Sequence, residues 1–341
     1  MKEKMPGTLT LRNKMILVLM PFMVALIALS IGRMGITPIE VMKVLLNKIG
    51  LANFALETAN VEQVILTMRL PRILLAALVG SGLAVAGCAF QSLFANPLAT
   101  PDTLGVASGA SFGAALGLLI GFNLIGVQLM ALFMGIVAVG LTWFGGSGKG
   151  KGMSTVVLAG IMIGSLFTAL VSFVKFVADT ESQLPAITYW LMGSLSSAGY
   201  RSLALGAPLI LLGMGILFLI RWRLNLLPLS DDEAKASGTN IKLLRGITVF
   251  CATLITASCI AMCGQVGWVG LLVPHMCRMK WGNNHLSLLP ASISVGMVFM
   301  IAVDTIARTL TAAEIPISIL TAIIGAPFFL YLMRKSGGWQ L

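Results

Sequence analysis

The stretch that decides the fold is Met68–Val106, MRLPRILLAALVGSGLAVAGCAFQSLFANPLATPDTLGV. It opens with Arg69 and Arg72 on either side of Pro71 and continues with about twenty apolar or small residues that carry no charge. It closes on the turn Asn-Pro-Leu-Ala-Thr-Pro at 96–101, where two prolines restrict the backbone. The pattern predicts a membrane helix with a cationic rim at one end and a fixed turn at the other.

A glycine then occurs at every fourth position, at Gly105, Gly109, Gly113 and Gly117. This spacing places the four glycines on one face of the next helix, where a neighbouring helix can approach to backbone contact.

The composition extends the membrane interpretation to the whole chain. Of 341 residues, 57% are hydrophobic and 10% are charged, and the mean hydropathy is +0.96. Soluble domains carry about a quarter charged residues, so we expect an all-α polytopic membrane protein. The five cysteines form no CxxC motif and indicate no disulfide framework. The net charge of +11 is explained by membrane topology and requires no nucleic-acid partner.

We predict about ten transmembrane helices in a single transmembrane domain, residues 1–341. The first apolar run resembles a signal peptide, with Ala28-Leu29-Ser30 as a cleavage candidate, but it is long enough to span and is interpreted as an uncleaved helix. The spans are 15–32, 68–94, 104–122, 124–143, 153–176, 202–221, 246–264, 266–281, 289–307 and 316–334.

The distribution of basic residues predicts the orientation. With both termini in the cytoplasm, fifteen of the 23 Lys and Arg residues lie inside and eight lie outside. This arrangement leaves Arg69, Arg72 and Arg308 on the outer face, against the usual bias, so these three arginines require a separate explanation.

The inner loop at about 222–245 predicts a small cytoplasmic protrusion. Ser230 is a helix N-cap, and three acidic residues follow it in the first turn, where they complement the helix dipole. Gly238 ends that helix, and Asn240 caps a second short helix that ends at Arg245. The three acidic residues are Asp231, Asp232 and Glu233.

Catalytic and metal-binding motifs are weak. Residues 145–152, GGSGKGKG, nearly fit a phosphate-binding loop, but no strand precedes them and a flexible basic turn is the better interpretation. His275 and His285 are read as satisfied histidines rather than metal ligands, and Cys259 and Cys263 as packing residues rather than soft ligands. No Ser/His/Asp grouping and no HExxH motif occurs, so we expect no catalytic residue and no metal site.

The charges of the membrane segments also indicate how the chain is powered. Lys175, Asp304, Arg308 and Glu314 all fall near the outer ends of their helices, and the helix centres carry no charge. An ion-coupled carrier usually places ionisable groups or broken helices at the midplane. The driving force is therefore expected to enter from another chain through the inner protrusion. A secondary transporter and a membrane enzyme remain the alternatives.

Several motifs in order resemble the FecCD/BtuC family of ABC-importer permeases for iron-siderophores, haem and cobalamin. They are Arg69-Leu70-Pro71-Arg72, the turn at 96–99 with Leu104-Gly105, GWVGLLVPH at 267–275, and EIPI at 314–317 with GAPF at 325–328. The resemblance covers about Met15 to Lys335. It departs from the family pattern at Trp268 and Cys277.

The resemblance implies roles for individual residues. Arg69, Arg72 and Arg308 match outer arginines that pair with glutamates of a solute-binding protein. Ser230, Asp231, Asp232, Glu233, Gly238 and Asn240 match the elements that couple to the ATPase. The pathway is expected along the fifth and tenth spans, which carry Ser165, Thr168, Ser172, Ser318 and Thr321.

The resemblance also implies the assembly. We expect a homodimer or heterodimer of permeases, two ATP-binding subunits, an extracytoplasmic solute-binding protein, and a place in a bacterial or archaeal cell (inner) membrane. No cofactor is expected in this chain, because ATP and Mg²⁺ would bind the partner ATPase. The substrate implied is a metal chelate, first an iron(III)-siderophore, with haem, cobalamin or molybdate as alternatives.

Overall fold

A computed structural model describes residues 9–51, 53–56, 60–148, 152–311 and 313–335, and these residues form helices and no strand. The α-helices are α1 (Leu11–Ser30), α2 (Pro38–Lys48), α3 (Asn60–Gln63), α4 (Leu70–Leu93), α5 (Val106–Leu119), α6 (Leu124–Gly146), α7 (Met153–Val177), α8 (Gln183–Leu191), α9 (Tyr200–Leu219), α10 (Asp231–Ala236), α11 (Ile241–Cys263), α12 (Val269–Trp281), α13 (His285–Thr309) and α14 (Ile317–Lys335). A π-helical segment, Val64–Arg69, precedes α4, and 3-10 turns occur at Pro101–Leu104 and Arg223–Leu226.

The all-α polytopic fold is confirmed, and a helix occurs at each of the ten predicted spans. Among the described residues, seven helical segments are long and apolar enough to cross a membrane, and two apolar helices are shorter. We call the end of the bundle that carries Arg69, Arg72 and Arg308 the outer end, after the predicted topology. The end that carries α10 is called the inner end.

Helices α4 and α11 form the centre of the bundle. Within the apolar stretch of each, 83% of the residues are buried, against 22% in α1 and α7. Small residues let the neighbours of α4 approach closely: Gly80 faces Gly296 of α13, and Gly87 faces Gly270 of α12. The apolar residues of α1 and α7 are therefore mostly exposed on the surface of this chain.

The predicted glycine face is present for Gly109, Gly113 and Gly117, which lie in α5 toward α6, but not for Gly105, which precedes the helix. A Cβ atom on Gly109 would lie 2.5 Å from the Cβ of Ala138, and one on Gly113 would overlap the Met130 carbonyl, so both glycines pack against α6. Gly105 instead adopts φ +74°, which L residues rarely adopt, and approaches α7.

Proline residues shape three helix contacts, because a proline leaves the carbonyl of an earlier turn without its helical donor. In a membrane such a carbonyl must find another partner. In three places a side chain of a neighbouring helix supplies this donor. For Pro21, the Ser294 hydroxyl donates to the Leu17 carbonyl at 2.6 Å. For Pro274, Gln91 donates to the Gly270 carbonyl at 3.2 Å, and for Pro71, Tyr200 donates to the Leu66 carbonyl at 2.6 Å.

The eighth span is a helix of only 13 residues, as its interrupting glycines predict: the segment at 264–268 is not helical, and α12 begins at Val269. The second short helix predicted from Asn240 to Arg245 was wrong, since these residues begin α11, which runs without a break for 23 residues.

Candidate docking, coupling and pathway sites

Arg69 ends the π-helical segment that leads into α4. A π-helical turn is uncommon and often occurs at functional sites. With hydrogen bonds five residues apart, Leu66 would pair with Pro71, which has no amide hydrogen, and the hydroxyl of Tyr200 takes that place. The segment therefore ties the outer ends of α4 and α9 together and sets the direction of Arg69.

The guanidinium of Arg69 caps the C-terminal end of α1. It donates to three main-chain carbonyl oxygens there: Leu29 at 2.6 Å, Ser30 at 3.1 Å and Met34 at 2.5 Å. Arg308 donates to the carbonyl of Ala28. The last carbonyls of a helix lack intrahelical donors, and α1 has no basic residue in its own last turn. Arginines from two other elements therefore supply the missing donors.

Arg72 is the centre of an ion-pair cluster between α4, α13 and the segment before α14. Its Nε lies 2.9 Å from Oδ1 of Asp304, and its Nη1 lies 2.8 Å from Oε1 of Glu314. Arg308 Nε lies 3.8 Å from the second oxygen of Asp304, whose side chain is only 1% exposed. A buried carboxylate is tolerated only with such partners.

A cavity of about 510 Å³ lies at this outer cluster, and its lining includes Arg33, Arg69, Arg72, Arg308 and Glu314. The structure thus brings the three predicted docking arginines together. It also gives them internal partners that sequence reasoning missed, because the contacts of Arg69 and Arg308 with main-chain carbonyls join positions 35 to 280 apart. Their contact with a second protein stays a prediction.

The predicted N-terminus of the short helix α10 is present. Ser230 and Glu233 form a reciprocal capping box: the Ser230 hydroxyl lies 2.8 Å from the Glu233 carboxylate, which also accepts from the Ser230 amide at 3.0 Å. The hydrogen bond from the Ser230 hydroxyl lowers the pKa of the Glu233 carboxyl below its ordinary value. Asp231 and Asp232 occupy the first turn of α10.

The far end of α10 also follows the sequence pattern. Gly238 has φ +72°, a backbone conformation that favours glycine, and it separates α10 from α11. Asn240 is a helix cap, as predicted, with Oδ1 accepting from the Leu243 amide at 3.1 Å. The helix that it caps is the long apolar helix α11. Helix α10 is therefore joined to the core of the bundle by only three residues, 237–239, and the cap Asn240.

The predicted pathway residues divide into two groups. Ser165, Thr168 and Ser172 are exposed on α7, and each hydroxyl donates to the carbonyl four residues before it. Ser318 instead donates to the carbonyl of Met192 at 2.6 Å, and Thr321 is fully buried. The α7 residues lie on an open face of this chain, whereas the α14 residues take part in internal packing.

The other motifs gain no support as sites. The described residues include no group of three or more His, Cys, Asp or Glu side chains that could hold a metal ion. The near phosphate-binding loop has helix α6 before it instead of a strand, and its residues 149–151 lie outside the described residues. His275 packs edge-on against Phe329, and all five cysteines are buried and unpaired.

One polar cluster at the inner end was not predicted from sequence. His285 bonds with Ser92 of α4 and with Asn225 of the turn before α10, and Gln91 accepts from Arg278 of α12. The sequence marked His285 only as a satisfied histidine, because nothing local indicates partners 60 and 193 positions away.

Comparison with known proteins supports the interpretation of the whole chain. The family model described as the FecCD transport family matches residues 18–335. The chain is 41% identical over 326 residues to the molybdate import system permease protein MolB of Haemophilus influenzae, covering 94% of this chain and 96% of that protein. It is 36% identical to the Fe(3+)-citrate import system permease protein YfmE of Bacillus subtilis, with 94% of each chain covered.

The fold is also similar to a solved structure. An inward-facing conformation of a metal-chelate type ABC transporter superposes with a TM-score of 0.86 at 39% identity, covering 95% of this chain and 99% of that one. The agreement extends over the whole bundle and not only over single helices.

Proposed function

The chain belongs to the FecCD transport family of ABC-importer permeases, and we propose that it passes a metal chelate into the cytoplasm with energy from ATP that a separate subunit hydrolyses. The observation that carries this proposal is the family match over residues 18–335. The helical bundle of the described residues agrees with it. The chain itself supplies a pathway and no catalytic residue.

The proposed assembly contains two copies of this chain, or this chain and a sister permease, with two ATP-binding subunits at the inner end and a solute-binding protein at the outer end. It lies in the inner membrane of a bacterial or archaeal cell, with both termini in the cytoplasm. ATP and Mg²⁺ bind the ATPase subunits and not this chain. The open α7 face with Ser165, Thr168 and Ser172 supports a pathway shared with the second permease.

Energy enters through α10. Closure of the ATPase dimer would displace α10 as a rigid body, and its capping box and the Gly238 turn keep it a defined element beside α11. Replacing Gly238 with Trp, or deleting Asp231–Gly238, is expected to abolish transport while the ATPase subunits still bind nucleotide. Unchanged ATP-driven uptake by either variant would exclude this coupling role.

The outer cluster is the proposed docking site for the solute-binding protein. It places Arg69, Arg72 and Arg308 around a cavity where a partner's carboxylates could approach, and such attraction weakens with salt. We expect capture of the binding protein by the wild-type permease to fall as ionic strength rises. Arg69→Glu with Arg72→Glu is expected to weaken capture further.

The double charge reversal also disturbs internal bonds, so folding must be measured in parallel. Arg33→Glu is a useful comparison, because Arg33 is an exposed residue of the same cavity. Salt-independent capture by the wild type, or full capture by a folded double variant, would contradict the docking assignment.

For the substrate, an iron(III)-siderophore is the first candidate, as a member of the metal-chelate class. A molybdate oxyanion is the second candidate, favoured by the 41% identity to a molybdate permease. Haem and cobalamin remain within the family's range. ATP-dependent uptake of radiolabelled ferric siderophore, ferric citrate and molybdate by the reconstituted complex distinguishes them. No ATP-dependent uptake of any chelate or oxyanion would contradict the proposed function.

A further inference from the structure

The turn that leads into α10 is attached to the membrane helices by a buried polar bridge. Asn225 lies in the 3-10 turn Arg223–Leu226, between α9 and α10. Its side chain reaches His285, the first residue of α13, and His285 in turn reaches Ser92 near the inner end of α4. Three elements that are distant in sequence therefore meet at one imidazole ring.

The hydrogen-bond chemistry fixes the orientation of Asn225. Its Oδ1 accepts from the main-chain amide of His285 at 3.0 Å, which only the oxygen of the carboxamide can do. Its nitrogen donates to the Trp222 carbonyl at 3.1 Å and to Asn284 Oδ1 at 3.2 Å. The Oδ1 atom of Asn225 therefore bonds to the start of α13, and its Nδ2 atom bonds both to its own turn and to Asn284, the cap of α13.

The same contacts decide which nitrogen of the neutral His285 ring carries the hydrogen. Its Nδ1 lies 2.8 Å from the same Asn225 oxygen, so Nδ1 carries the hydrogen and donates it. Nε2 is then the acceptor for the hydroxyl of Ser92, at 2.7 Å. The Ser92 hydroxyl has a second acceptor, the Cys88 carbonyl, at the longer distance of 3.1 Å. His285 and Ser92 are each 5% exposed, so their half of the bridge is shielded from water, whereas Asn225 is partly exposed.

Apart from the bond between Asn225 and Asn284, which also reaches the start of α13, the contacts beneath this turn are apolar. Leu224 and Leu227 are buried beneath it, and Ala234 of α10 is fully buried. Apolar burial is non-directional and lets surfaces slide, whereas hydrogen bonds fix position and direction. The Asn225–His285–Ser92 bridge is therefore the contact that can convert a displacement of the α10 root into a displacement of α4 and α13.

We propose that His285 is a positioning residue for energy coupling, which holds the root of α10 to the inner ends of α4 and α13 through Asn225 and Ser92. This inference rests on the proposed function, in which α10 receives the motion of the ATPase. It adds the route by which that motion enters the central helix α4, beside the covalent connection of α10 to α11.

The test uses the complete transporter in proteoliposomes, with this chain, its ATPase subunits and its binding protein. The readout is the number of ATP molecules hydrolysed per molecule of radiolabelled molybdate, ferric citrate or ferric siderophore taken up, for whichever probe the wild type transports. His285→Ala should raise this ratio about fivefold, the factor that corresponds to one hydrogen bond of about 1 kcal/mol. Asn225→Ala also removes the bonds to the His285 main-chain amide and to Asn284, so it should raise the ratio at least as much. The double variant should be no worse than Asn225→Ala alone, because the two side chains act in one bridge.

Two further variants separate positioning from general stability. His285→Asn places an amide donor where Nδ1 lies, so it should restore part of the coupling. Ser292→Ala is the matched control, since its hydroxyl lies 3.2 Å from Cys88 Sγ and joins α4 to α13 without touching the α10 root. Its coupling ratio should equal that of the wild type.

The outcomes are distinct. A wild-type ratio in folded, monodisperse His285→Ala and Asn225→Ala complexes would overturn the inference and leave the proposed function intact. Equal uncoupling by Ser292→Ala would overturn it as well, because general packing at the α4–α13 contact would then explain the loss. A wild-type complex that hydrolyses ATP without any uptake would contradict the proposed function itself.

Discussion

Arg72 and Asp304 form a buried ion pair between α4 and α13, with Arg72 Nη2 2.9 Å from Asp304 Oδ1. Asp304 also lies beside Arg308, so its one carboxylate serves two guanidiniums from different elements. This carboxylate explains how Arg72 and Arg308 are accommodated at the outer end of an apolar bundle, whereas Arg69 donates to carbonyls at and after the end of α1.

The first prediction concerns this carboxylate. Asp304→Asn keeps the shape of the side chain but removes a charged partner of both Arg308 and Arg72, and Arg72 keeps its pair with Glu314. We expect the unfolding free energy in detergent to fall by about 3 kcal/mol or more, as for other broken buried pairs. Glu181→Gln, an exposed carboxyl, is the control and should change it by about 0.5 kcal/mol or less. An unchanged melting temperature for Asp304→Asn would contradict the structural role of the pair.

The second prediction concerns the carbonyl that Pro21 leaves without a donor. Ser294→Ala removes the hydroxyl that donates to the Leu17 carbonyl. It should lower the free energy of unfolding by about 1 kcal/mol, the scale of interhelical hydrogen bonds in membranes. In a Pro21→Ala background the same substitution should cost much less, because the new amide can donate to Leu17.

A double-mutant cycle by thermal unfolding checks this coupling. Ser81→Ala is the matched control, since its hydroxyl donates to carbonyls of its own helix and its loss leaves no carbonyl of another helix unpaired. Equal costs of Ser294→Ala in both backgrounds would show that Pro21 does not create the need for Ser294.

The parts of the fold that the sequence predicts are those decided by local chemistry. The Ser230 and Asn240 caps, the Gly238 turn and the glycine face of α5 depend on neighbours a few residues away, and all of them are present. The lengths of the apolar runs likewise predict where the membrane helices lie.

Long-range partners are not predictable in this way. The sequence indicates that Arg69 and Arg308 are unusual at the outer end, but it cannot indicate that both donate to the end of α1. Gly32 gives a clue only after the fold is known, because a Cβ there would lie 2.5 Å from the Arg69 guanidinium. The contacts of Arg69 and Arg308 depend on how α1 packs against the rest of the bundle, which no local stretch of sequence indicates.

The third prediction concerns the contact of α4 with α12. An Ala side chain at Gly87 would overlap the carbonyl oxygen of Gly270 and lie 2.6 Å from its carbon. Because the overlapping atoms are backbone atoms, which cannot move without shifting the helix, Gly87→Ala should separate the two helices and lower the melting temperature strongly. Gly140→Ala in α6 is the control, since nothing lies within 4 Å of its Cβ, and it should be neutral or slightly stabilising. A small and equal effect of both substitutions would contradict this close packing.

The fourth prediction concerns the capping box of α10. Ser230→Ala should cost about 1 kcal/mol of local helix stability and speed amide hydrogen exchange in α10. Ser237→Ala, just after the other end of α10, removes a hydroxyl that donates to the Ala234 carbonyl and not to the Glu233 carboxylate, so it should change exchange less. The cap also predicts a pH effect: because the folded pKa of Glu233 is lowered, its contribution is present above the ordinary glutamate pKa and is lost as the pH falls through the lowered value. Exchange in α10 that does not respond to Ser230→Ala would exclude this role of the cap.

The central claim is that this chain holds no energy source of its own and is driven through α10. It is tested most directly by measuring solute accumulation in vesicles that contain the chain alone, and in vesicles that also contain its ATPase and binding-protein partners. We predict accumulation against a gradient only in the complete assembly and only with ATP. Accumulation by the chain alone, driven by a proton or sodium gradient and abolished by an uncoupler, would contradict the account.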